Sequence, residues 1–484
     1  MASAAHAVVS GEADAGNQLL ARLDRIPRWP FSWFSLGVIA LGFLFTFYDI
    51  FNINVSFVQT CVRIQPGCTP RNAFDSLKVP LVWNLAGYVV GAMILSPLAD
   101  RLGRRNMLVI TMVITGLGSV YSALSGDMTH FTISRALTGV GTGADLAVVS
   151  TYLNEVAPRL RRARYTALTY VAANVGAAMA IWLGLILTTK PGHWPAGLPF
   201  AQAGPGFSDG WRWMYWAGAL LALVAILLRY ELPESPRWLI THRRFANATH
   251  LIEKAEARVL AGGVALDPPV AFPVAPAPPP KSGVYREILS SPLYRKRALI
   301  LLAMWTTAYV AVYSLAGGLT SLLTSFGYPQ AEAGVISAIG ILGLFFARLT
   351  NPLADRIPRR VWLPMSAVIM LVGALVLTIG GRHDILLAFA GAVLLFAGNS
   401  LWVPITYSWS AELFPTRART AGFGLVDGLG HLGGGIGVVL IAPVVIHLGS
   451  LRGMLLVVGF LVVAALIAQL NAPTAGRSLE DVSP

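Results

Sequence analysis

Apolar residues in this chain fall in long runs, not in alternation. Stretches of about 20 mostly apolar residues, the length needed to cross hydrocarbon, lie at 34–57, 79–99, 107–125, 131–153, 165–188 and 212–230. After a long polar interval they recur at 298–321, 330–352, 362–381, 385–410, 420–446 and 452–470. Gly380-Gly381-Arg382-His383-Asp384 leaves the least room, between the ninth and tenth. The alternating ten-residue segments of a closed barrel, the other spanning solution, are absent. The pattern predicts an all-α membrane protein with twelve transmembrane helices in two pseudo-symmetric six-helix bundles. Its divisions are a cytoplasmic tail (1–33), an N-terminal bundle (34–230), a cytoplasmic central loop (231–297), a C-terminal bundle (298–470) and a second cytoplasmic tail (471–484).

Composition closes the other classes. Only 12% of the residues are charged, against about 25% in soluble proteins, and the mean hydropathy is +0.64. That leaves too little polar surface for a water-soluble globule. The net charge of +13 invites a nucleic-acid reading until the charges are located. With the N-terminus inside, the inner segments carry Arg22, Arg25, Arg28, Arg101, Arg104, Arg105, Arg159, Arg161, Arg162 and Arg164, then the central-loop cations, then Arg356, Arg359, Arg360, Arg417, Arg419 and Arg477. Outer segments carry few: Arg63, Arg71, Lys78, Lys190, Arg212, Arg382 and Arg452. This is the positive-inside bias of a multi-pass plasma- or inner-membrane protein with both termini cytoplasmic. The bilayer is then the large partner, and nucleic acid is not implied. Residues 1–33 show no apolar stretch before a cleavage site, so no signal peptide is expected.

Cys61 and Cys68 both fall in the outer loop between the first two spans, where a disulfide is permitted. A bridge closing a small ring and two free thiols are both open. The central loop mixes a helix-forming stretch, His250 to Leu260, with a proline run from Pro268-Pro269 to Pro278-Pro279-Pro280. Proline at that density gives extended, semi-rigid chain. Scattered histidines without His-x-x-x-His spacing, and no Gly-x-Ser-x-Gly elbow, leave no metal site, no cofactor and no enzyme chemistry.

An internal repeat organises the rest. Ser96-Pro97-Leu98-Ala99-Asp100-Arg101-Leu102-Gly103-Arg104-Arg105 follows the second span, and Asn351-Pro352-Leu353-Ala354-Asp355-Arg356-Ile357-Pro358-Arg359-Arg360 follows the eighth. Glu155-Val156-Ala157-Pro158 after the fourth span is matched by Glu412-Leu413-Phe414-Pro415 after the tenth, at nearly the same offset. The chain reads as a duplicated six-helix unit, the parallel repeat of transporters that rock two halves about a midplane site.

These residues carry a family resemblance. Asp100-Arg101-x-Gly103-Arg104-Arg105 resembles the inner-loop signature of the major facilitator superfamily, with Ser96 where its leading glycine usually stands. Pro233-Glu234-Ser235-Pro236-Arg237-Trp238-Leu239 is similar to the sugar-porter branch and its metabolite and organic-ion relatives. So are Arg135-x-x-x-Gly139-x-Gly141-x-Gly143 and Leu23-Asp24-Arg25-Ile26-Pro27. The resemblance implies a monomeric secondary active transporter that works by alternating access. Sugar porters resemble one another through paired glutamines in the seventh span; here Trp305 to Tyr313 contains none, which points away from a hexose. Drug–proton antiporters share a Gly-Pro element in the fifth span, and Tyr165 to Thr188 contains no proline.

Ionisable groups at hydrocarbon depth are costly without a cavity or a partner, so each is a candidate site. Asp49 in the first span and Arg135 in the fourth stand at similar depth. An acid that releases its arginine on protonation is a proton switch, and the resemblance implies that role here, with the proton as coupling ion. A static ion pair is the plainer alternative. Asp145, about 15 Å deeper than Arg135 along the helix, is a candidate for binding substrate or a second proton in the central cavity. Asp427 and His431 share one face of the eleventh span. Trp305, Tyr309 and Tyr313 form a stripe on the seventh span beside small residues (Thr306, Thr307, Ser314, Gly317, Gly318). Asn174, Asn399, Trp402 and Tyr407 add polar candidates. On the inner face, Asp100, Arg101, Arg104 and Arg105 with Glu155, and Asp355, Arg356, Arg359 and Arg360 with Glu412, form a candidate conformational latch.

The sequence therefore predicts proton-coupled symport of a small organic metabolite, an organic or aromatic acid above others. The alternatives are an uncoupled facilitator or antiporter for an organic cation or sugar and, from another class, a transport-inactive receptor.

Overall fold

The computed structural model of the protein describes residues 14–69, 73–195, 197–270, 283–316, 319–346, 353–475, 477 and 479–483. Arg71, the Pro278 to Pro280 run, Lys281, Gly317, Gly318, Asn351 and Pro352 lie outside the described residues. Among the described residues, each predicted span contains a helix. In the first half these are α1 (Trp33–Ile64), α2 (Ala73–Val90), α3 (Arg104–Leu124), α4 (Met128–Val156), α5 (Arg162–Thr188) and α6 (Gly210–Arg229). In the second they are α7 (Pro292–Ala316), α8 (Gln330–Gly340), α9 (Trp362–Leu375), α10 (Ile385–Ser400), α11 (Arg419–Gly430) and α12 (Ser450–Ala468). A further helix, Val403–Glu412, continues α10. Among the described residues the one strand-like feature is an isolated bridge between Gly204 and Phe207.

Ten helical stretches among the described residues are long and apolar enough to cross a membrane. The two other predicted spans differ for separate reasons. In α4, Arg135, Asp145 and a series of hydroxyl residues lower the hydropathy. The apolar stretch that begins in α8, Ala331–Phe346, is short where it is described.

Several helices deform where the sequence requires it. The chain breaks between α10 and Val403–Glu412 because Pro404 lacks an N–H and cannot continue the ladder, leaving Trp402 at the break. α11 is interrupted at His431, within a run of glycines, before Leu432–Ile436. α2 passes into a π turn at Gly91–Leu95, just past Tyr88.

Within the first half α1 packs on α5 and α6, α2 on α4, and α3 on α4 and α6. The α2–α4 contact is backbone on backbone. A Cβ on Gly87 or Gly91 would sit 2.1 or 1.9 Å from the carbonyl oxygens of Ala136 or Val140. One on Gly139 or Gly143 would sit 2.0 or 2.2 Å from those of Asn84 or Tyr88. Two reciprocal Gly-x-x-x-Gly pairs thus let the helices touch, and they fix Tyr88. In the second half α7 packs on α11 and α12, α9 on α10 and α12, and α8 on α10. The halves meet where Val403–Glu412 crosses α4 and α5, where α11 crosses α2 and α4, and where α5 crosses α8.

The N-terminal tail is more structured than its polar composition suggests. Residues 14–24 are helical. Leu19, Leu20, Leu23 and Ile26 form a separate core with Trp238, Leu239 and Ile240 of the helix Pro236–Thr241 and with Ile252, Ala255 and Val259 of the helix Phe245–Ala261. Arg22 and Arg25 both donate to Glu256, and Arg237 pairs with Asp24. The central loop is therefore partly a packed unit with the tail as one of its elements.

Candidate functional site

At the junction of the halves, aromatic side chains gather around one carboxylate. Asp427, fully buried on α11, accepts a 2.6 Å hydrogen bond from the Tyr88 hydroxyl of α2 and another of 2.6 Å from the Tyr309 hydroxyl of α7. His431 lies one turn on. Its Nδ1 is 2.8 Å from the Asp427 carbonyl, which only accepts, so Nδ1 carries a proton and donates it there. The His431 ring stacks on Tyr88 with centroids 3.6 Å apart and tilts against Tyr309 at 4.0 Å. Trp305 stacks on Tyr309 at 5.0 Å and contacts Trp402 and Tyr407 at 5.1 and 5.3 Å. Tyr313 closes on Tyr309 and His431, and Tyr170 of α5 reaches Tyr407. The seventh-span stripe thus faces the junction, held there because Gly430 lies against Trp305 and Gly434 against the Tyr313 ring. The buried Trp402 Nε1 and Asn399 Oδ1 have no hydrogen-bond partner among the described residues. Tyr88 and Tyr170 escaped the sequence reading. Neither is charged, and only the glycines beside Tyr88 hinted that its helix is clamped in place.

Two buried acid–base pairs lie within the first half. Arg135 holds Asp49 through both carboxylate oxygens at 3.2 Å and donates to the Asp49 carbonyl, while Ser119 donates to the same carboxylate. Tyr215 lies under the guanidinium. A small cavity opens onto Arg135 beside Asn84 and Tyr313. The second pair corrects the sequence reading of Asp145 as a cavity residue. Asp145 turns away from the junction into the half, where Arg229 holds it at 2.5 and 3.1 Å and Thr111 and Thr46 donate to it. The physical reason is Arg229, at the end of α6, whose buried charge is neutralised by Asp145. The sequence reading did not single out Arg229, which lies inside the predicted span 212–230. Asn174 is likewise not in the aromatic cluster: it donates to the Leu344 carbonyl at 2.6 Å, joining α5 to the other half.

The arginine-rich end holds the repeated motifs. Arg104 donates to Asp100 at 2.9 Å and to Glu155 at 2.9 and 3.1 Å, and Arg359 pairs with Asp355 and Glu412 at 3.1 and 3.4 Å. Cross-half contacts are added. Asp355 accepts from the Ala163 and Arg164 N–H groups at 3.2 and 3.1 Å, capping the first turn of α5 from the opposite half. Asp100 faces Thr420 and Ala421 at the start of α11, the equivalent place, but its Oδ2 lacks a hydrogen bond of normal length. Arg419 reaches Glu155 at 3.6 Å, and Ser408 donates to Asn154. Four arginines of the expected latch stand outside it. Arg101, Arg356 and Arg360 are exposed. Arg105 donates to the Tyr230 carbonyl, while the Glu155 carboxylate is already taken by Arg104 and Ser235. The sulfurs of Cys61 and Cys68 are bonded, with Cα atoms 5.9 Å apart.

Helices in two halves, repeated acid–arginine motifs at one end and an aromatic cluster between the halves set the frame for comparison. The sugar (and other) transporter family model matches residues 35–484. The chain belongs to that family, within the major facilitator superfamily. It is 26% identical over 476 residues to the niacin transporter NiaP of Acinetobacter baylyi, covering 96% of this chain and 99% of that one. It is 26% identical over 418 residues to the glucose transporter GlcP of Staphylococcus epidermidis, covering 82% and 86%. The proton:xylose symporter XylE shares the fold, with a TM-score of 0.73 at 18% identity over 93% of this chain and 98% of that one. The chain is thus a multi-pass membrane transporter of the sugar and metabolite class, and not an enzyme.

Proposed function

We propose that the protein is a proton-coupled symporter that carries a small aromatic acid by alternating access, with both termini and the arginine-rich end on the cytoplasmic side. The observation that carries this reading is the aromatic cluster around Asp427 and His431, built from both halves. Flat rings stack on such surfaces, and a site shared by two lobes is remade when they rock. The niacin transporter among the relatives, whose substrate is a pyridine carboxylic acid, agrees with that chemistry. Asp49 is the proton site: on protonation it no longer neutralises Arg135, and the α1–α4 contact loosens. Coupling requires that this change favour one arrangement of the lobes over the other.

The second reading is a sugar. It is favoured by the glucose and xylose transporters among the relatives, and aromatic faces also pack on sugar rings. Proteoliposome uptake of labelled nicotinate, benzoate, xylose and glucose, with and without an inward proton gradient, decides between the two. Gradient-driven uptake of a ring acid, lost in Asp49→Asn while counterflow persists, is the expected result. Uptake of a sugar alone would overturn the substrate, and gradient-independent uptake would overturn the coupling.

A further inference from the structure

The aromatic cluster contains a ring already seated as a ligand would be. Tyr88 belongs to the first half, yet its phenol lies flat on His431 at 3.6 Å and its hydroxyl donates to Asp427 at 2.6 Å, both in the second half. Asp427 spends its other oxygen on Tyr309, and Trp305 Nε1 is committed to Ser410. Once Tyr88 leaves, the second half presents a carboxylate oxygen of Asp427 and the stacking face of His431. That oxygen only accepts. A ring that brings a donor satisfies it; a ring without one leaves a buried carboxylate short of a hydrogen bond, which is costly.

We propose that Tyr88 occupies the place of the substrate ring, and that the site selects rings bearing a hydrogen-bond donor, a phenolic O–H or a ring N–H, for Asp427. This rests on the aromatic-substrate reading above and narrows it. Tyr88 is then a competitor tethered to the opposite half. Its displacement breaks a hydrogen bond and a stacking contact between the halves, so substrate entry and the release of α2 from α11 are one event. The close backbone packing of Gly87, Gly91, Gly139 and Gly143 makes α2 and α4 move together when this happens.

The test is calorimetric binding to the purified protein of 4-hydroxybenzoate and 4-fluorobenzoate, which share size and charge and differ in the donor. Wild type is expected to prefer the hydroxyl compound by about ten- to a hundredfold, the effect of one hydrogen bond to a charged acceptor. Asp427→Asn, checked for folding by its melting curve, should erase the preference. Tyr88→Phe, which keeps the ring and deletes only the competing hydroxyl, should bind 4-hydroxybenzoate several-fold tighter than wild type and so tests the idea even if the Asp427 variant fails to fold. Binding of both rings without preference, or unchanged or weaker binding in Tyr88→Phe, overturns this proposal and leaves the aromatic reading standing. Binding of neither ring, with xylose or glucose bound instead, overturns both.

Discussion

Removing Asp355 should unlock the arginine-rich end, by an amount the structure sets. The carboxylate makes three contacts. The Arg359 pair lies within one half and persists whichever way the lobes rock, so it cancels in the conformational equilibrium. The two N–H bonds to Ala163 and Arg164 exist only while the halves touch. Hydrogen bonds to a charged acceptor contribute about 1.5–3 kcal/mol each. These are long, at 3.2 and 3.1 Å, and the residue is only partly buried. About 2 kcal/mol for the two together, a factor of about 30, is the reasoned figure. If the closed arrangement is favoured about 100 to 1, Asp355→Ala reduces that to about 3 to 1. Asp100→Ala should do less, because Asp100 faces Thr420 and Ala421 of α11 without a hydrogen bond of normal length. Spin labels on the exposed positions of Asn106→Cys and Arg356→Cys read the separation by electron–electron resonance; the native cysteines are bridged and do not label. A longer-distance population appearing in Asp355→Ala and scarcely in Asp100→Ala is expected. No change in the Asp355 variant, or equal changes in both, would refute the capping argument.

Asp145→Asn leaves the Arg229 charge buried and half-solvated by backbone, and should cost about 3–5 kcal/mol of stability. The double variant Asp145→Asn/Arg229→Gln should recover part of it in a thermal-unfolding assay, and an equal or larger loss in the double would show that the pair is not the unit. Gly143→Val drives a side chain into the Tyr88 backbone and is expected to abolish ring binding along with much of the melting temperature; retention of both would contradict the clamp. At Glu256, burial raises the carboxyl and the Arg22 and Arg25 guanidiniums more than reverse this, so its pKa is held below the ordinary carboxylate value. Its contribution to tail docking is therefore present above the unfolded carboxylate range and is lost as pH falls through the depressed value. Amide protection factors over residues 14–26, each taken against the unfolded-chain rate at the same pH, should be high at pH 7 and low in acid, and low at pH 7 in Glu256→Gln.

The apolar runs, the duplicated motifs and the charge bias are local or periodic, and they were legible as a string: helix positions, the two-fold repeat and the Asp49–Arg135 and Arg104–Glu155 partnerships followed from spacing and resemblance. What the string did not contain was direction. Asp145 and Asp427 are both acids in mid-helix, but only tertiary packing brings Arg229 to one and tyrosines from opposite halves to the other. Tyr88 has no sequence mark, because a phenol becomes a ligand-like group only when glycines on two helices let it lie against His431. The tail's leucines form a core only with apolar residues that the central loop supplies. Pairing across hundreds of residues depends on which faces meet, and that is decided when the halves close on one another, not along the chain.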